Sequence, residues 1–269
     1  MKPVVVVTGA ASGIGAATVD YLRARGATVI SADLREADVI ADLATLDGRA
    51  TFIDQVARRS KGVVDAVVAN AGGGPVETSV QLNYFGTVAT LEGLRPLLCK
   101  SDSPRAVAVS SIGSLFATRS DLMRACLSGN EEKAKSIAQI VARESAAAGA
   151  DGHRVREMVY GNAKQALNQW CSKSAASSRW AGAGILLNVV ALGVYSTPAA
   201  AFILSDPERA HAIQALTPLR DAFPGRPRDA AALLCWLISR ENTQLTGQVL
   251  FADGGFEVSQ RSALRGLMQ

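Results

Sequence analysis

The segment Thr8-Gly9-Ala10-Ala11-Ser12-Gly13-Ile14-Gly15 has the residue types and spacing to hold a phosphorylated ligand. It follows an apolar run, Val4–Val7, and opens an amphipathic stretch carrying Ala16, Val19 and Leu22. Gly9 and Gly13 let the backbone turn tightly and approach a pyrophosphate, and Gly15 lets a helix lie close to a strand. The amides and positive dipole end of that helix then face the phosphates. Eighteen residues beyond Gly15, at the end of the next apolar run, Asp33 is placed to accept hydrogen bonds from ribose hydroxyls. Its carboxylate repels a 2′-phosphate, and no Lys or Arg stands among Ala10, Ala11 and Ser12 to attract one, so NAD is favoured over NADP. Arg35 is the opposing signal, because an Arg just past this strand can serve a 2′-phosphate.

Such a loop needs a strand before it and a helix after it, and the rest of the chain supplies the same alternation. Val4–Val7, Thr28–Ala32, Val63–Ala69, Ala106–Ser110, Leu186–Val190 and Val249–Ala252 read as strands separated by helical-length, Ala-rich segments. This pattern predicts one α/β domain spanning 1–269, a Rossmann fold with a doubly wound parallel sheet. One block breaks the alternation, a helical insertion at about 121–159. Asn130 is its N-cap, Glu131 and Glu132 stand in the first turn, and Ala134, Ile137, Ala138 and Val141 follow at helical spacing. Gly149 and Asp151-Gly152 are expected to end that helix.

Charge is nearly balanced, with 28 basic and 24 acidic residues scattered along the chain, which gives no footprint for nucleic acid or a membrane surface. Cys99, Cys126, Cys171 and Cys235 are far apart, and only His153 and His211 add imidazoles, so no metal site is expected and a reducing compartment fits. Met1-Lys2-Pro3 leads into a short apolar run and a glycine turn rather than a signal sequence, which points to the cytoplasm. The uncharged stretch from Ala181 to Leu204 contains Asn188, Pro198 and three glycines and reads as a buried strand followed by a loop.

Six motifs in order resemble the short-chain dehydrogenase/reductase superfamily over essentially the whole chain. They are the glycine loop from Thr8 to Gly15, Asp42-Leu43, Asn70-Ala71-Gly72, Asn83, Ser110-Ser111, and Tyr160-Gly161-Asn162-Ala163-Lys164. The resemblance implies that Asp42 and Leu43 meet the adenine ring, and that Asn70, Ala71 and Gly72 border the cofactor. It also implies that Asn83, Ser111, Tyr160 and Lys164 are catalytic. On a helix Tyr160 and Lys164 lie one turn apart on one face. An ammonium beside the phenol favours phenolate, so Tyr160 can take a proton from an alcohol while hydride leaves the same carbon for NAD. Lys164 reaches the nicotinamide ribose, and Ser111, with Ser110 and Ser114 as alternatives, holds the substrate oxygen. The resemblance further implies that Asn83 binds a water leading from Lys164 to solvent.

After the sixth strand the family usually has a Pro-Gly pair, but here Leu192 stands in place of the proline and the rigidity of this loop is in question. Thr197 is expected to meet the nicotinamide carboxamide, and residues at about 195–225 to form a substrate lid with Phe202, Ile203, Leu204, Leu216, Leu219 and Phe223 as apolar lining. The insertion resembles that of the bacterial 3α-hydroxysteroid dehydrogenase/carbonyl reductase subgroup. The expected activity is interconversion of a secondary alcohol and a ketone on a mainly apolar substrate, such as a steroid, terpenoid or aromatic carbonyl. The competing class, an NAD-binding scaffold without turnover, is disfavoured by the complete Ser-Tyr-Lys set. Because the insertion precedes the helix that builds the usual tetramer contact, a homodimer through the last strand and its neighbouring helix is expected, with a tetramer as the alternative.

Overall fold

The computed structural model describes residues 2–147 and 152–266. Among them the strands are β1 (Val4–Thr8), β2 (Thr28–Asp33), β3 (Val39–Ile40), β4 (Ala66–Ala69), β5 (Arg105–Ser111), β6 (Leu186–Leu192) and β7 (Val249–Ala252). They form one parallel sheet in the order β3-β2-β1-β4-β5-β6-β7. The helices are α1 (Gly13–Ala24), α2 (Leu46–Arg59), α3 (Val76–Val80), α4 (Thr87–Leu98), α5 (Ser120–Leu127), α6 (Glu131–Ala147), α7 (Gly152–Ala175), α8 (Ala201–Leu204), α9 (Pro207–Ala215), α10 (Pro227–Leu237) and α11 (Phe256–Gly266). A π-helical turn, Gln81–Gly86, joins α3 to α4.

Side chains alternate across a strand, so uninterrupted apolar strands demand cover on both faces. Val5 and Val7 of β1, Ala66 and Val68 of β4, Val107 and Val109 of β5, and Val190 and Leu192 of β6 pack with Val19 and Leu22 of α1 and Ala230 and Leu234 of α10. The intervening residues Val6, Val67, Ala106, Ala108 and Val189 enter the opposite layer with Phe52 of α2, Leu91 and Leu94 of α4, and Ala163 and Leu167 of α7. The expected doubly wound sheet is therefore present. Strand order reverses between β1 and β4, and their carboxyl ends open the crevice where such folds bind ligands.

The seventh strand, β3, has no counterpart among the six expected runs. It is two residues long, too short to show a period. Ser31 N and Oγ donate to Asp38 Oδ2 at 2.9 and 2.7 Å, which pins Val39 beside Ala32.

The insertion forms as expected around Asn130, whose Oδ1 accepts from Lys133 N at 3.0 Å. Ala134, Ala138 and Val141 of α6, with Leu122, Ala125 and Cys126 of α5, are buried in the layer that also holds Val155 and Val159 of α7. The insertion thus covers the amino-terminal half of α7 within the subunit. Gly149 and Asp151 lie outside the described residues, and Gly152 opens α7 instead of closing α6.

Leu192 closes β6, paired with both Ser111 of β5 and Ala252 of β7, and Gly193 N donates to Ala252 O at 3.0 Å. The ladder holds the backbone that a proline ring would otherwise restrain. Among the described residues no helix is long and apolar enough to cross a membrane. The uncharged stretch from Ala181 is divided among a 3₁₀ turn, β6, a further 3₁₀ turn and α8.

Candidate active site

At the carboxyl end of β1, Gly9 and Gly13 have φ of +66° and +54°, conformations that side-chain-bearing residues rarely adopt. A Cβ on Gly15 would collide with the Gly9 carbonyl and lie 2.7 Å from Asn70 Nδ2. Asn70 Nδ2 donates to Thr8 O and Gly9 O at 3.1 and 3.2 Å, while Thr8 Oγ1 accepts from the amides of Asn70 and Ala71 at 3.0 Å each. These bonds stitch β1 to β4 at the strand-order reversal. Ser12 caps α1 without a side-chain bond to the helix, which leaves its hydroxyl and the first-turn amides of Gly13, Ile14 and Gly15 for a ligand. Asp33 Oδ2 accepts from Ala11 N at 2.9 Å and Oδ1 from Leu34 N at 2.7 Å, so the acid sits against this loop, whereas Arg35 is exposed. Asp42 Oδ1 accepts from Ala44 N at 2.9 Å and Leu43 is buried. Thr197 faces the loop from the other side, its Cγ2 3.0 Å from the place of a Cβ on Gly13. The cradle of bare glycines and free amides, with an acid at its ribose end, fits a dinucleotide.

Ser111 ends β5, and its Oγ accepts from Gly113 N at 3.1 Å. Of the three candidate serines, Ser110 is buried with its hydroxyl unpartnered, and Ser114 is buried and donates to Ser111 O at 2.7 Å. Ser111 is the one that keeps solvent access, and its Oγ and the Tyr160 ring each lie 3.5 Å from the place of a Cβ on Gly113. The two meet because Gly161, beside Tyr160, has no side chain: a Cβ there would lie 2.5 Å from Gly113 O. Gly161→Ala is accordingly expected to destabilise the protein by about 1–3 kcal/mol through overpacking. It should also lower kcat by moving Ser111 away from Tyr160. Thermal unfolding and steady-state kinetics check both effects, and wild-type values in both would refute the account.

Lys164 is 1% exposed, donates from Nζ to Val109 O at 2.8 Å, and lies 5.6 Å from the centroid of the Tyr160 ring. Burial disfavours its charge and lowers its pKa to about 8. Tyr160 keeps partial exposure. Burial raises its pKa, opposed by the Ser111 hydrogen bond and the positive charge of Arg156 one turn earlier. Asn83, on the π-helical turn, is fully buried. Its Nδ2 donates to Gly73 O and Ser79 O at 2.8 and 2.7 Å, and its Oδ1 accepts from Gly73 N at 2.9 Å. The amide is thus engaged in holding the loop after Asn70-Ala71-Gly72. A Cβ on Gly72 would lie 2.9 Å from Asn83 Oδ1 and 3.2 Å from Lys164 Nζ, so the bare glycine lets both groups close on this turn.

In the segment expected to form the lid, Phe202 of α8 stacks on His153 of α7, with centroids 5.6 Å apart and planes at 3°. Arg156 and Arg209 place their guanidinium carbons 5.0 and 5.8 Å from the same ring. This docks α8 one to two turns before Tyr160. Leu216 and Leu219 are exposed, and Leu219 N donates to Gly254 O at 2.9 Å, so this part of the segment rests on the turn after β7. Sequence reasoning assigned no separate role to Thr8, Gly161, Arg49 or Arg156. Thr8 had a signal in its motif and Arg156 in its one-turn spacing from Tyr160, while Arg49 had none.

A parallel sheet with this glycine cradle and a Ser, Tyr and Lys gathered beside it defines a nucleotide-dependent dehydrogenase class. A family model described as "Enoyl-(Acyl carrier protein) reductase" matches residues 9–257. The 3-alpha-hydroxysteroid dehydrogenase/carbonyl reductase of Comamonas testosteroni is 34% identical over 265 residues, covering 96% of this chain and 98% of that protein. The cis-4-hydroxycyclohexanecarboxylate dehydrogenase of Sinomonas cyclohexanicum is 29% identical over 273 residues, covering 94% and 96%. Among solved structures, the 3-alpha-hydroxysteroid dehydrogenase from Pseudomonas sp. B-0831 complexed with NADH superposes with a TM-score of 0.84 at 33% identity, covering 96% of this chain and 98% of that one. The chain belongs to the short-chain dehydrogenase/reductase family of oxidoreductases.

Proposed function

We propose that the protein is an NAD(H)-dependent oxidoreductase that interconverts a secondary alcohol and a ketone on a mainly apolar substrate, in the range of steroids, terpenoids and aromatic carbonyls. The observation that carries this reading is the meeting of Ser111, Tyr160 and Lys164 beside the glycine cradle with Asp33 at its far end. The hydroxysteroid dehydrogenase relative and its NADH-bound structural counterpart support it. The Tyr-to-Lys interval of four residues argues against enoyl reduction, which needs a longer one. Incubating the enzyme with NAD and a panel of hydroxysteroids, cyclic terpenols and aryl alcohols, and following NADH absorbance, tests the assignment. No turnover of any member would favour a binding protein without catalysis.

NAD accepts or supplies the hydride when bound. The cradle residues Gly9, Ser12, Gly13, Ile14 and Gly15 hold its phosphates. Asp33 takes the adenosine ribose, Asp42 and Leu43 the adenine, Asn70, Ala71 and Gly72 the inner wall, and Thr197 the carboxamide. Ser111 donates a hydrogen bond to the substrate oxygen and holds it in register. Tyr160 takes the alcohol proton during oxidation and returns it during reduction. Lys164 keeps positive charge near the phenol, and Asn83 binds a water that links Lys164 to solvent.

A pH dependence follows with a definite sign. Deprotonation of Tyr160 creates a negative charge, which Arg156 favours. Arg156→Ala is therefore expected to raise the Tyr160 pKa, and the rising limb of kcat/KM for alcohol oxidation should move to higher pH. An unmoved or downward-shifted limb removes Arg156 from this role.

For assembly we propose a homodimer across β7 and its neighbouring helix. β7 is an edge strand whose four residues are all half-buried, and Trp236 on α10 and Val258 on α11 are exposed nearby in sequence. The insertion, by contrast, covers part of α7. Light scattering at micromolar concentration tests this, and a stable mass of four subunits would favour the tetramer. The proposed location is the cytoplasm, consistent with four free cysteines.

A further inference from the structure

We infer that Glu131, in the first turn of the inserted helix α6, is a positioning residue for the adenosine half of the cofactor site and acts through Arg49 on α2. The inference rests on the reading that Asp42 and Leu43 meet the adenine. Arg49 is only 6% exposed, and a buried guanidinium requires partners for its donors and a counter-charge. Its Nε donates to Leu43 O at 2.8 Å, and its Nη2 donates to Gln81 O at 2.9 Å and Ala44 O at 3.3 Å. These carbonyls belong to the adenine wall and to the first residue of the π-helical turn that carries Asn83. They accept hydrogen bonds but carry no net charge. The counter-charge comes from Glu131, bound in fork geometry from Nη1 to Oε2 at 2.7 Å and from Nη2 to Oε1 at 2.8 Å.

The wall that Arg49 grips is close-packed on its other sides. A Cβ on Gly86 would lie 2.6 Å from Leu43 O, and one on Gly48 would collide with Asp42 O. Its position thus depends on how firmly Arg49 is held. Glu131 and Asp42 also line one cleft of about 790 Å³, with Thr45, Gln81 and Lys135. The inserted helix therefore does more than cover α7: its first turn reaches the far end of the proposed cofactor site and fixes the cation that holds the adenine wall. Without the Glu131 charge, Arg49 is drawn toward water and the carbonyls of Leu43 and Ala44 lose their anchor.

The test uses the full-length protein and two ligands, NADH and reduced nicotinamide mononucleotide, which lacks the adenosine. In Glu131→Gln the Kd for NADH should rise about tenfold, the scale seen when outer groups that orient a ligand's contacts are removed. KM for NAD should rise in parallel, kcat should stay within about twofold, and the Kd for the mononucleotide should not change. Arg49→Lys, which loses the fork, should give the same split and serves if Glu131→Gln does not fold. An unchanged NADH Kd in the folded variants overturns the inference, as does equal weakening of both ligands, which marks general loosening. Asp42→Ala separates the underlying reading. A weaker NADH complex there, with none in Glu131→Gln, overturns the inference alone, and no loss in either overturns the adenine assignment as well.

Discussion

Tyr160→Phe is expected to lower turnover by at least ~100-fold, the usual scale for a positioned acid/base, while NADH binds nearly as in the wild type. The substitution keeps the ring, which lies 3.5 Å from where a Cβ on Gly113 would stand and 5.6 Å from the Lys164 ammonium. Only the hydroxyl is lost. Among the described residues no other phenol is in position to replace it: Tyr21 lies on α1 under the Arg25 guanidinium, Tyr84 is buried with its pKa raised out of reach, and Tyr195 donates to Ala252 O at 3.1 Å. Neither Ser111 nor Lys164 substitutes well, since a serine hydroxyl is a poor base and Lys164 is buried with its Nζ held on Val109 O. Single-turnover hydride transfer together with NADH titration separates the chemical step from binding. A variant with near wild-type turnover would remove Tyr160 from the mechanism.

Asp33→Ala should lower kcat/KM for NAD by about 10- to 100-fold, because a charged acceptor of ribose hydrogen bonds is worth about 1.5–3 kcal/mol. NADP use should improve relative to NAD, since the repelling charge goes at the same time and the exposed Arg35 becomes free to meet a 2′-phosphate. The structure adds a second cause for the loss. Asp33 also accepts from Ala11 N and Leu34 N, so its removal loosens the loop that faces the phosphates. Asp33→Asn tells the two apart by keeping an acceptor for Ala11 N while removing the charge, and should therefore retain more NAD activity than the Ala variant. A wild-type enzyme that already prefers NADP in kinetic assays would show that Arg35 outweighs Asp33.

Much of this molecule was legible before its coordinates, and the parts that were share a physical character. The central strands β1, β4, β5 and β6 announced themselves because each is an apolar run covered on both faces, a demand met within the run itself. Gly9 and Gly13 were legible because positive φ is a local backbone property, as was the face shared by Tyr160 and Lys164, because helical spacing sets it. The helix after Asn130 carried its own cap and periodicity.

What only the tertiary structure decided lies in juxtapositions between distant segments. Two residues of β3 exist as a strand because Asp38 reaches Ser31. Ser111 stands apart from Ser110 and Ser114 because it keeps solvent access at the end of β5, while the other two are buried. The partners of the Asn83 amide, Gly73 and Ser79, are set by the π-helical turn. Arg49 and Glu131, separated by 82 positions, carry no local signal at all. Periodicity and backbone preference are written in neighbouring residues, whereas a buried charge finds its partner only after helices from different parts of the chain have closed around it.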